Sequence, residues 1–115
     1  MDDSVIDQAV YAELEDTASA EFVAELVDTF LEEAPRMLAE LRGARAENNA
    51  ERFRRAAHSL KSNGNTFGVL RLAALARELE LKGLDADPAR DTVALAALEV
   101  EYARAAAALK ALRDG

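Results

Sequence analysis

The chain has 115 residues, no cysteine and a formal net charge of −8. That length is one domain by the ordinary prior, here residues 1–115, and suffices to bury about two thirds of the unfolded surface. The missing cysteines exclude disulfides and thiolate metal sites and fit a cytoplasmic protein, while the acidic balance argues against binding nucleic acid.

Two prolines and five glycines interrupt the chain, and no useful period-two alternation appears, so the expected fold is all-α. A first short helix is predicted from about Ser4 to Asp16, with Ile6, Val10 and Leu14 on one face and Ser4 as its cap. The second begins near Ser19, where Phe22, Val23, Leu26, Val27, Phe30, Met37, Leu38 and Leu41 recur at three- and four-residue steps. Pro35 removes one helical hydrogen bond and is expected to kink this helix or mark a junction. Asn48 and Glu51 have capping-box spacing for the third helix.

That third helix holds the only histidine, His58. At about 100° per residue, Arg54, Lys61, Ser62 and Asn65 share its stripe, while Phe53, Ala56, Ala57, Leu60 and Gly64 form a neighbouring stripe that can face a core. The imidazole is therefore expected on the polar side, among cations and small residues. The plainer reading is an indifferent surface histidine in an alanine-rich helix. Against it, Arg52, Arg54, Arg55 and Lys61 bracket the ring in an otherwise acidic chain. Ser62, Asn63, Gly64 and Asn65 are also poor helix formers, and close approach by another macromolecule would explain their use.

The fourth helix is predicted from Gly68 to about Lys82, ended by Gly83, with Leu72, Leu75, Ala76 and Leu79 inward. Asp87 and Pro88 make a cap and first-turn pair for the fifth. Leu95, Leu98, Tyr102, Ala105, Leu109 and Leu112 then step by three and four, the period of helices crossing at a shallow angle. The architecture expected is a four-helix up-down bundle with an additional short N-terminal helix.

Other chemistries lack their parts. A single histidine makes common zinc sites implausible and rules out a di-metal helical bundle built on Glu-x-x-His pairs. No Walker-type phosphate loop is present, since Gly64 and Gly68 are too sparse to form one. No run approaches the ~20 apolar residues of a membrane span, and no signal peptide is visible.

The segment His58-x-Leu60-Lys61-Ser62, with Gly68 ten residues past the histidine, precedes Leu72-x-x-Leu75-Ala76-x-x-Leu79-Glu80. Together these resemble the signature of histidine-containing phosphotransfer (HPt) domains. Phe30-Leu31-Glu32-Glu33-Ala34-Pro35 resembles that family's acidic segment before a proline in its second helix. The resemblance runs from about Ile6 to Leu112; at Ser62 the family more often has glycine.

The resemblance implies a phosphocarrier in a two-component phosphorelay, without ATP-dependent kinase activity of its own. His58 would accept a phosphoryl group from a receiver-domain aspartate and pass it to another receiver. Lys61 would steady the phosphate, with Arg54 and Arg55 adding to the field. Ser62, Gly64 and Asn65 would form a low docking surface. Phe67 reads as core, or as a partly bare ring that helps docking. Gly68 either starts the fourth helix, allows close helix contact or joins the docking surface. Glu80 either accepts a hydrogen bond from Nδ1 of His58 or is an ordinary exposed glutamate. Implied partners are response-regulator receivers and a hybrid sensor histidine kinase, with magnesium on the receiver and no cofactor on this chain. A monomer is expected, because the last helix needs its stripe for its own core. Two alternatives stand beside this reading. One is a receiver-binding adaptor without phosphotransfer. The other is an HPt domain cut from a larger sensor kinase, although Met1 and the ending at Gly115 lean toward a free-standing protein.

Overall fold

The computed structural model describes residues 5–114. Five helices follow one another: α1 (Gln8–Ala18), α2 (Ala20–Ala46), α3 (Ala50–Phe67), α4 (Leu70–Lys82) and α5 (Pro88–Asp114). No strand occurs among the described residues. The expected cap Ser4 lies outside them. Asp7 caps α1 instead, its Oδ1 accepting from the amides of Ala9 (3.0 Å) and Val10 (3.4 Å). Ile6 therefore precedes the helix rather than lying in it. It takes the position before the cap, Tyr11 takes the fourth helical position, and both are buried, as in a hydrophobic staple.

Ser19 closes α1 through its backbone amide and opens α2 through its hydroxyl, which accepts from the Phe22 amide at 3.2 Å. Of the kink or junction expected at Pro35, the junction does not occur: α2 continues through it without a break. The carbonyl that a proline at 35 leaves without its helical donor is that of Leu31. The Tyr102 hydroxyl reaches that oxygen from α5 at 3.4 Å, replacing the missing donor.

The cap of α3 falls one residue later than the capping-box spacing suggested. Asn49 Oδ1 accepts from the Arg52 amide at 3.1 Å, whereas Asn48 turns the chain with φ 57°. Asn tolerates that left-handed conformation, and its side-chain oxygen accepts from Arg45 at 2.9 Å. Gly68, expected to start α4, ends α3. It adopts φ 75°, and the Val69 amide bonds back to the Gly64 carbonyl at 2.9 Å in a Schellman arrangement.

Gly68 is also where α1 is moored. Its carbonyl accepts the Asp7 amide at 2.7 Å, and a Cβ there would lie 2.8 Å from the Asp7 carbonyl oxygen. Gly68→Ala would meet both a disfavoured φ and that clash. It is expected to lower the unfolding free energy by about 1–3 kcal/mol, read as a shifted urea midpoint at unchanged slope.

Helix α3 is central: it packs most extensively on α4, then on α2, and also touches α1. Helix α5 packs on α2 and α4, and among the described residues its backbone does not run beside that of α3, which it meets only through core side chains. Phe53, Ala57 and Leu60 of α3 meet Val23, Val27 and Leu41 of α2, Leu72 and Ala76 of α4 and Leu98 and Leu109 of α5 in one continuous core. Phe30 stacks at 5.3 Å on Phe67 and 5.9 Å on Tyr102.

At one end of the molecule lies a buried ion pair. Asp91, 1% exposed in the first turn of α5, accepts from Arg45 Nη1 at 2.7 Å and from the Asp85 amide at 2.9 Å. Arg45 also donates to the Asp85 carbonyl at 2.9 Å. The pair thus ties the last turn of α2 and the Asn48 turn to the α4–α5 connection. Burying two charges costs several kcal/mol unless their polar atoms are satisfied, and here they are bonded to each other and to backbone.

Candidate functional site around His58

The two stripes expected on α3 separate as the spacing required. Phe53, Ala56, Ala57, Leu60 and Gly64 are buried, while Arg54, His58, Ser62 and Asn65 are exposed and Lys61 is half-buried. Packing on the buried stripe holds the ring on a rigid element, with 54% of its side chain exposed.

Its Nδ1 lies 2.7 Å from Glu80 Oε2 on α4. A carboxylate can only accept, so this contact holds the proton on Nδ1 and leaves the lone pair on Nε2. The other oxygen of Glu80 lies 2.8 Å from Lys61 Nζ. Glu80 is therefore not the exposed glutamate of the plainer reading: its side chain is only 14% exposed, and one carboxylate serves both functional candidates.

Hydrogen bonding from Lys61, and next from His58, holds the Glu80 carboxyl below the usual glutamate range. The sign follows. With its folded pKa depressed, the stabilisation from these bonds is complete above the unfolded pKa and is lost as pH falls through the lower, folded one. Glu80 therefore remains a carboxylate at neutral pH.

Other expected site residues divide. Ser62 and Asn65 lie on the open surface beyond the ring. Gly64, Phe67 and Gly68 are buried, so they add no side chain to a docking surface. Gly64 instead lets α4 approach: a Cβ would lie 3.0 Å from the Ala73 Cβ and 3.2 Å from its backbone. Phe67 is 3% exposed and stacks on Phe30. Arg54 and Arg55 share Glu51, at 2.7 Å and 3.7 Å, so Arg54 is drawn back along its own helix. Sequence reasoning missed that Glu80 holds Lys61. Antiparallel counting outward from the Gly64–Ala73 contact would have found it, because residue 80 then falls opposite residues 57–58.

These features define a helical protein carrying one exposed imidazole whose Nδ1 is engaged by a carboxylate. Residues 25–114 match the Hpt domain family, and the chain belongs to it. The crystal structure of histidine-containing phosphotransfer protein B (HptB) from Pseudomonas aeruginosa PAO1 is similar, with a TM-score of 0.84 and 25% sequence identity. That match covers 98% of this chain and 97% of that one. No curated protein matches the chain significantly. No described helix is long and apolar enough to cross a membrane.

Proposed function

We propose that this protein is a phosphorelay carrier that accepts a phosphoryl group on Nε2 of His58 from a receiver aspartate and delivers it to another receiver. The observation that carries this reading is the Glu80 contact, which occupies Nδ1 and leaves the lone pair on Nε2 of a half-exposed ring. The Nε2 lone pair attacks phosphorus, the bond to the aspartyl oxygen breaks, and the carboxylate leaves as an anion. The proton stays on Nδ1, so the ring becomes cationic beside the Glu80 carboxylate, which stabilises it electrostatically. Return transfer reverses these steps.

Phosphoryl transfer depends chiefly on positioning and charge neutralisation. Lys61 is the cation that shares the Glu80 carboxylate with the ring, and it turns from Glu80 to the phosphoryl oxygens as they arrive. Lys61→Ala is expected to slow transfer by about 10- to 100-fold without abolishing it, measured as the single-turnover rate from a phosphorylated receiver. The receiver brings magnesium and the catalytic carboxylates; this chain supplies the nucleophile and has no ATP-dependent kinase activity. A hybrid sensor kinase is the upstream source.

We read residues 1–115 as one cytoplasmic, monomeric domain, an up-down bundle of α2–α5 with α1 added. The packing of α3 and α5 on opposite sides of α2 and α4 supports that arrangement. The deciding experiment incubates the protein with radiolabelled phospho-receivers and follows acid-labile, base-stable label. Binding without label would leave only an adaptor.

A further inference from the structure

Beside His58, on its α2 side, a groove of about 470 Å³ runs between α2 and α3. Arg36, Met37 and Glu40 form one wall, Arg52, Arg55 and Ser59 the other, and Ala56 the floor. His58 does not line the groove, but Ser59 adjoins it in sequence and Arg55 sits one turn before it on the same helix.

The arginines differ in how fully they are committed. Arg52 is neutralised by a two-pronged contact with Glu40, at 2.7 and 2.9 Å, and by Glu47. Arg55 reaches Glu51 only at 3.7 Å, in competition with Arg54 at 2.7 Å, and its side chain is 69% exposed. Arg36 is exposed and forms no ion pair among the described residues. Two guanidinium groups with spare donors therefore line one groove together with a methionine, on a protein whose net charge is −8. A planar fork of donors without a carboxylate matches an incoming one.

We propose that this groove selects the receiver. It takes a receiver segment that sets a carboxylate between Arg36 and Arg55 and an apolar side chain on Met37 and Ala56. The inference rests on the phosphotransfer reading and adds to it the partner's surface chemistry. A protein segment fits better than a nucleic acid, because two uncommitted arginines can hold one carboxylate, whereas a phosphate polymer needs a broad basic face that a chain of net charge −8 does not offer. Such charges act mainly on encounter and register, so their reversal falls on kcat/KM rather than on the chemical step.

The test uses the full chain with charge reversals, a panel of phosphorylated receiver domains, and phosphoramidate as a small donor that needs no docking. Both arginines are exposed, so helicity should be unchanged. Arg36→Glu alone is expected to lower kcat/KM for the best receiver by about 10-fold while phosphoramidate labels His58 at the wild-type rate, and adding Arg55→Glu should deepen the loss with the receiver to about 100-fold. Lys110→Glu, an exposed position on α5 outside the groove, makes a charge change equal to that of one arginine reversal and should leave transfer unaltered. Reversing an acidic residue on the receiver's docking face should restore much of the lost rate. Double-variant transfer within about 2-fold of wild type, an equal loss in Lys110→Glu, or competition by a short oligonucleotide that depends on Arg36 would each overturn the assignment. If phosphoramidate and every receiver fail to label the wild type, the phosphotransfer reading falls and takes this one with it.

Discussion

His58→Gln is expected to take up no phosphoryl group from any receiver, with label falling to background while helicity and stability stay near wild type. Glutamine is the informative replacement because its carboxamide can still donate to Glu80 and so preserves the α3–α4 contact. What it lacks is a ring nitrogen with an available lone pair. The side chain is 54% exposed, and a surface change of this kind alters stability by no more than about 0.5 kcal/mol. The measurement pairs radiolabel uptake with a urea melt. Retained acid-labile label in the variant would place the acceptor elsewhere on the chain.

Asp91→Ala should have the largest effect on stability, lowering the unfolding free energy by about 3–5 kcal/mol. Removing the carboxylate strands the Arg45 guanidinium, whose side chain is 15% exposed, and leaves the Asp85 amide without its acceptor. Most small domains have only about 5–15 kcal/mol in total, so the variant should melt far earlier. Adding Arg45→Ala should cost less than the sum of the two single changes, since the second removes the uncompensated charge that the first created. Urea titrations of the four proteins complete this cycle. Additive losses would mean that the pair contributes little.

Helices with long apolar periods were legible from the sequence. The α3 stripe of Phe53, Ala57 and Leu60, and the α5 steps from Leu95 to Leu109, needed only the 3.6-residue repeat and are buried as expected. Helix ends were less legible, because neighbouring residues offer competing caps. Asn48 and Asn49 are chemically alike, and the choice between them depends on Arg45, which the local sequence does not reveal. That α2 would run on through Pro35 was hidden for a similar reason: the lost donor is replaced by Tyr102, 71 positions from the Leu31 carbonyl that it serves. The exposure of His58 was readable from one helix alone. Its tie to Glu80, and the tie of Glu80 to Lys61, depend on the register of two antiparallel helices, which periodicity does not supply. The α2–α3 groove was hidden for the same reason, since Arg36 and Arg55 meet only in three dimensions.

The glycine at 64 has a consequence for reactivity. Backbone meets methyl group where α3 crosses Ala73, and two turns farther along the same seam the imidazole reaches its carboxylate. Hydrogen bonds weaken steeply with stretching, so prising this seam open by a few tenths of an ångström would loosen the ring at its far end. The smallest residue in the chain thus acts as a spacer gauge, and a bulkier one would blunt the nucleophile from six positions away without touching it.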